Sequence, residues 1–174
     1  MSTPHVVVVM GAAGTGKTTI GRLLAEQLDV PYAEGDDFHP EPNIAKMSAG
    51  VPLNDSDREP WLDAIGQWAQ GRAGLGGVVS SSALKRVYRD RLRSAAPDAV
   101  FLHLTGDREL IELRMHERKG HFMPTELLES QFATLQPLER DEPGVAVDVG
   151  GTPEEVTERA LAALRRLGES HSCG

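Results

Sequence analysis

His5-Val-Val-Val-Val-Met10-Gly11-Ala-Ala-Gly-Thr-Gly-Lys17-Thr18 is the stretch on which the fold turns. The run from His5 to Met10 is β-branched with no polar alternation. Such a run suits a strand buried on both faces, as in a parallel sheet. Gly11 to Thr18 then matches G-x-x-x-x-G-K-[ST] at every fixed position. The context is also the required one: an apolar strand before, and after it a helical pattern from Lys17 to Leu28 carried by Ile20, Leu23, Leu24, Gln27 and Leu28. Glycines let the backbone curl so that successive N–H groups point at phosphate oxygens. The helix N-terminus adds the positive end of its dipole. Lys17 brings a charge to the β- and γ-phosphates, and the Thr18 hydroxyl is a Mg²⁺ ligand in such loops. Gly11, Gly14, Thr15, Gly16 and Thr19 complete the cradle. A plain glycine-rich turn is the competing reading, and the joint match of motif and context disfavours it.

Reading outward, Val30 to Glu34 forms a second short strand and Asp36 to Asp57 a short helix plus loop. Pro60 suits the first turn of a helix that places Trp61, Ile65 and Trp68 on one face. A third strand lies in Gly76 to Ser80, a basic helix in Lys85 to Ala95, and a fourth strand in Ala99 to Leu104. A helix from about Asp107 to Lys119 follows. Gly120 to Pro143 is longer than a usual connection and reads as a lid or small helical insertion. Val145 to Val149 is a fifth strand. Thr152-Pro-Glu-Glu155 is a capping box opening a last helix to Leu167, with Gly168 as its C-cap and a frayed tail from Glu169. Strands alternating with helices predict one α/β domain over residues 1–174, a five-stranded parallel sheet with helices on both faces. Ligands in such sheets sit at the carboxyl ends of the strands.

Composition narrows the partners. The 174 residues carry a net charge of −8, which argues against nucleic acid. No run reaches the length of a membrane span. The one cysteine, Cys173, cannot form an internal disulfide, so a cytoplasmic setting is expected. Nine of the 18 basic residues fall between Lys85 and Lys119, so this segment is where a pocket for anions would be sought. Most of the nine read as solvated helix faces.

A phosphate cradle alone leaves a switch GTPase, an ATPase motor and a small-molecule kinase. Asp63-Ala-Ile-Gly66 and Asp148-Val-Gly-Gly151 match D-x-x-G, but one lies in a helical pattern, the other near the C-terminus, and there is no N-K-x-D. The third strand ends Val78-Val79-Ser80-Ser81-Ser82, without the aspartate of an ATPase. Carboxylates to support a metal must come from elsewhere, and Glu34, Asp36 and Asp37 follow the second strand.

Several blocks then occur in order: Glu34-Gly-Asp-Asp-Phe-His-Pro40, Asn43-Ile-Ala-Lys-Met47, Gly50-Val-Pro-Leu-Asn-Asp55, Asp57-Arg-Glu-Pro-Trp-Leu62, Ser82-Ala-Leu-Lys85 with Tyr88-Arg89-Asp90, Arg118-Lys-Gly-His-Phe-Met123 and Ser130-Gln-Phe-Ala-Thr-Leu135. With the P-loop they resemble the gluconokinase family, relatives of shikimate and adenylate kinases, from about Val6 to Val149. The resemblance implies a P-loop kinase fold with a substrate-binding segment about residues 36–70 and a helical LID about 119–136. It implies ATP and Mg²⁺, gluconate as acceptor, 6-phosphogluconate as product, and often a homodimer.

Roles follow from that resemblance. Asp36 is the candidate base, with Lys17 and Arg118 completing the catalytic set. Thr18, Glu34 and Asp36 are the candidate metal side. His39, Lys46, Arg58, Ser82, Lys85 and Arg89 are candidates to hold gluconate, with His121 and Gln131 as weaker LID candidates. An Arg fork suits a carboxylate. Arg114 would stack on adenine, Arg118 would reach the phosphates, and Pro153 would edge the adenine site. A kinase for another small anion and a non-catalytic ATP-binding domain are the alternatives.

Overall fold

The computed structural model of the protein describes residues 6–11, 15–51, 53–81, 83, 85–97, 99–106, 109–111 and 135–172, with only the backbone described at 36 and 167–172. Five strands form one sheet: β1 (Val6–Met10), β2 (Tyr32–Glu34), β3 (Gly77–Ser80), β4 (Val100–Thr105) and β5 (Gly144–Asp148). Their order is β2-β3-β1-β4-β5, and every pairing is parallel. The longer helices are α1 (Lys17–Leu28), α2 (Glu41–Ser48), α3 (Asp55–Gly71), α4 (Arg86–Ala95) and α5 (Pro153–Ser172).

The β1 run is apolar throughout because both faces are covered. Val6, Val8 and Met10 join Trp61, Leu62 and Ile65 of α3, Tyr88 and Leu92 of α4 and Phe101 in one core. Val7 and Val9 join Ile20 and Leu24 of α1, Leu102 and Leu104 of β4, and Val156 and Ala160 of α5 in the other. Alternate side chains of a strand point to opposite faces, so two cores need an unbroken run. β1 lies between β3 and β4, where the strand order reverses. That is where an open parallel sheet forms its ligand crevice, at the carboxyl ends.

Boundaries differ from the sequence expectation at several ends. The helix carrying Trp61 starts at Asp55, with Pro60 inside it. A reciprocal cap sets that start. Asn54 Oδ1 accepts from the Asp57 N–H at 2.7 Å, and Asp57 Oδ2 accepts from the Asn54 N–H at 3.0 Å. Two satisfied end groups outweigh the entry preference of the proline. The last helix runs through Gly168 to Ser172 in place of ending at Leu167. A glycine inside a helix costs only about 1 kcal/mol relative to alanine, too little to stop it. Thr152 does cap that helix, accepting from the Glu155 N–H at 3.2 Å. β2 is shorter than expected, and β5 begins one residue early. Residues 109–111 are helical, as expected of the helix from Asp107. The rest of that helix and residues 119–134 of the expected LID lie outside the described residues, while Gln136 Oε1 accepts from the Arg86 N–H at 2.8 Å.

Candidate active site

Gly11 leaves β1 at a φ of 151°, and a Cβ there would stand 2.8 Å from the Leu104 carbonyl oxygen. Only glycine lets the chain pass so close to β4. Gly16 is left-handed (φ 88°) and caps α1, whose Ile20 N–H bonds to the Gly16 carbonyl at 2.8 Å. Between them Thr15 is buried. Lys17 opens α1 and its Nζ donates to the Gly11 carbonyl at 2.9 Å, so its charge spans the mouth of the loop. Thr19 follows on the first turn. Gly14 lies outside the described residues.

Thr18 reaches across to β2. Its hydroxyl donates to Glu34 Oε2 at 2.7 Å. Glu34 also accepts from the Tyr32 hydroxyl at 2.8 Å and, at Oε1, from Ser80 Oγ at 2.8 Å. Burial pushes the Glu34 carboxyl up, but the hydroxyls of Thr18, Ser80 and Tyr32 and the Lys17 charge outweigh it and hold the group below its ordinary value. The carboxylate is therefore ionised at neutral pH. Burial, countered by Ser80 and reinforced by Glu34, pushes the Tyr32 phenol up to about 12. A carboxylate and a hydroxyl oxygen are the hard donors Mg²⁺ takes. With its proton given to Glu34, the Thr18 oxygen is left as an acceptor, so these residues fit the metal.

The turn after β2 is packed against β3. A Cβ on Gly35 would lie 1.8 Å from the Ser80 carbonyl oxygen, so no other residue fits. Trp61 Nε1 donates to the Gly35 carbonyl at 2.7 Å, and the Gly35 N–H lies 3.3 Å from Ser80 Oγ. These contacts pin the short 3-10 turn Gly35–Phe38, which carries Asp36 and Asp37. Only the backbone of Asp36 is described. Asp37 is exposed.

The acceptor-side candidates are gathered by α2, α3 and α4. His39 is buried and stacks on Trp61 with ring centroids 4.4 Å apart. Asn43 Nδ2 donates to the Asp57 carbonyl at 2.7 Å and lies 3.2 Å from His39 Nδ1. The amide nitrogen has only protons to offer, so Nδ1 is the acceptor and the ring proton sits on Nε2. Lys46 pairs with Asp57 at 2.8 Å. Arg58 Nη1 donates to the Tyr88 hydroxyl at 3.0 Å, and Lys85 Nζ pairs with Asp55 at 3.0 Å. Both cations stand 5.5 Å from the Tyr88 ring centroid, so α3 and α4 bring two positive groups to one place. The Asp55 carboxylate accepts from Tyr88 and Lys85, and these contacts hold it below its ordinary value.

Arg89, expected to hold the acceptor, is placed otherwise. It is fully buried and forks onto Glu142, with Nε to Oε1 at 2.6 Å and Nη2 to Oε2 at 3.1 Å. Nη1 also donates to the Ala83 carbonyl at 3.0 Å. Its role here is to tie α4 to the segment before β5. The partner is 53 residues away in the chain, which is why spacing could not reveal it. Pro153 opens α5 beyond β5, at the sheet edge opposite Glu34. Ser82, Arg114, Arg118, His121 and Gln131 lie outside the described residues. Sequence reading missed Tyr32 and Ser80. The local signal was a tyrosine two residues before Glu34; Ser80 gave none, because it lies 46 residues away in the chain.

Comparison with known proteins agrees with this geometry. The shikimate kinase family model matches residues 13–165. The chain is 45% identical over 161 residues to a gluconokinase of Gluconobacter oxydans, covering 91% of this chain and 90% of the relative. It is 41% identical over 165 residues to the thermoresistant gluconokinase of Escherichia coli, covering 93% and 94%. A crystal structure of a gluconokinase from Sinorhizobium meliloti superposes with a TM-score of 0.91 at 46% identity, covering 99% and 98% of the two chains. A P-loop on a β2-β3-β1-β4-β5 sheet, a carboxylate held at the end of β2 and this full-length likeness place the chain in the shikimate kinase family, among the gluconokinases.

Proposed function

We propose that this protein transfers the γ-phosphoryl group of ATP to a hydroxyl of D-gluconate, giving 6-phospho-D-gluconate and ADP. The observation that carries the reading is the likeness to gluconokinases over nine-tenths of the chain or more. The site chemistry supports it. Gly11, Thr15, Gly16, Lys17, Thr18 and Thr19 would hold the triphosphate on backbone N–H groups and the Lys17 charge. Thr18 and Glu34 would hold Mg²⁺, with Asp36 as a further donor. Bound there, the ion would offset charge on the β- and γ-phosphates.

Arg58 and Lys85 would take the gluconate carboxylate, exchanging their present bonds to Tyr88 and Asp55 for it. Lys46 and His39 would contribute to the same pocket, and Ser82 to the hydroxyls. Asp36 would accept the proton of the attacking hydroxyl. Arg114 and Arg118 would serve adenine and phosphates, and Pro153 the adenine edge. His121 and Gln131 would act from a LID about 119–136, beside a substrate segment about 36–70, all in one domain. A homodimer acting in the cytoplasm belongs to the same reading, supported by the resemblance and by the lone cysteine. Among the described residues no helix is long and apolar enough to cross a membrane.

The test is ADP release from Mg-ATP with gluconate, shikimate, AMP or no acceptor. Release above the no-acceptor rate with gluconate alone is expected. Release with shikimate or AMP in its place would reassign the acceptor while keeping the P-loop chemistry. No release with any acceptor would turn the reading to a binding domain.

A further inference from the structure

Resting on Thr18 and Glu34 as the metal side of the ATP site, we propose that Tyr32 and Ser80 are positioning residues for that pair. They hold the Glu34 carboxylate in the one orientation that takes the Thr18 proton and leaves the Thr18 oxygen an acceptor. A glutamate at a strand end has several rotamers, and fixing one of them costs side-chain entropy. Here both carboxylate oxygens are claimed. Oε1 takes Ser80, and Oε2 takes Thr18 and Tyr32. A carboxylate can only accept, so all three hydroxyls must donate to it when they bond to it. The Tyr32 hydroxyl also stands 2.9 Å from Ser80 Oγ, so its one proton is shared between Glu34 Oε2 and that oxygen, while Ser80 gives its own to Oε1.

The backbone explains why these two residues can do this. Tyr32 and Glu34 are two apart on β2 and share a face. Ser80 is the register partner of Glu34 on β3. The α1 helix leaves room for the phenol only because residue 21 is glycine: a Cβ there would lie 2.6 Å from Tyr32 Cε2. A packing role alone would be met by phenylalanine at 32 and an apolar residue at 80, in line with Val78 and Val79. The hydroxyls add only the bonds to Glu34, to each other and to the Gly35 N–H.

The effect should therefore appear in the metal-dependent part of ATP affinity. The experiment measures the Kd of ATP by calorimetry, with Mg²⁺ and with EDTA, for the wild type, Tyr32→Phe, Ser80→Ala, the Tyr32→Phe/Ser80→Ala double variant, Glu34→Gln and Glu34→Gln combined with Tyr32→Phe. Hydrogen bonds to charged groups are among the stronger ones, so the Tyr32→Phe/Ser80→Ala variant should lose about tenfold in Mg-ATP affinity and each single variant about threefold. Affinity for metal-free ATP should stay within about twofold, which also shows that the variants fold. Adding Tyr32→Phe to Glu34→Gln should bring no further loss, because the hydroxyl would act through a carboxylate no longer there. A Glu34→Gln loss with no loss in Tyr32→Phe or Ser80→Ala would overturn the positioning role alone. Equal losses with and without Mg²⁺ would make the two residues merely structural and overturn it too. No change in Glu34→Gln would remove the metal-side reading and the proposal with it.

Discussion

At the scale of single residues, burial decides charge. His103 sits on β4 at the level of Met10 and is buried. Burial, with the Arg89 charge adding to it, pushes its imidazole down to about 4. The folded protein thus refuses a proton that the unfolded chain accepts below its ordinary value of 6.5. Stability from this residue is complete above pH 6.5 and drains as pH falls from 6.5 toward 4. The loss should reach up to about 3 kcal/mol, since each tenfold change in proton affinity is worth about 1.4 kcal/mol. Urea unfolding at a series of pH values should show that slope, and His103→Leu should flatten most of it. A wild-type curve flat between pH 6.5 and 4 would contradict the assignment.

At the scale of elements, the α3 start is the informative one. Asn54 and Asp57 close the helix end reciprocally, and Asp57 Oδ2 also takes Lys46. One carboxylate therefore caps α3 and ties α2 to it. Asn54→Ala should cost about 1 kcal/mol of stability, as N-cap removal does. It should also loosen the Lys46 pair, because Asp57 loses one of the bonds that orient it. Chemical denaturation of the variant checks the first. A loss under a few tenths would show that the cap adds little to α3. The cap was legible in the sequence as Asn54-Asp-Ser-Asp57, but Pro60 is a louder start signal, and propensity alone chose it.

At the scale of the whole molecule, Arg89 and Glu142 join α4 to the segment that leads into β5. Burial pushes the Glu142 carboxyl up, yet the Arg89 bonds and the Glu139 N–H outweigh it and keep the group below its ordinary value. Both side chains are fully buried. Removing one partner strands the other charge, so Glu142→Leu should cost about 3–5 kcal/mol. Arg89→Met added to Glu142→Leu should recover much of that, since a buried pair replaced by apolar groups is often nearly neutral. Thermal unfolding of the two variants separates the cases. A double variant no more stable than the single one would mean that the pair contributes more than its own desolvation cost.

Much of this molecule is legible in the chain itself. The Val6–Met10 run, the glycine spacing and the α1 pattern follow from local rules, because strand burial, loop curvature and helix amphipathicity are properties of neighbours in the chain. The parallel sheet and the phosphate cradle came with them. What the tertiary structure alone decided is which distant groups meet. Four valines in a row are apolar on either face, so their alternation cannot set the register of β1. That choice falls to close approaches such as Gly11 against Leu104 on β4. Arg89 has the look of a ligand for an anion until Glu142 fills its fork. Tyr32 and Ser80 are ordinary strand residues until β2 and β3 pair and put both hydroxyls on Glu34. Hydrogen bonds reach about 3 Å in space whatever the separation in sequence, and no local pattern encodes them.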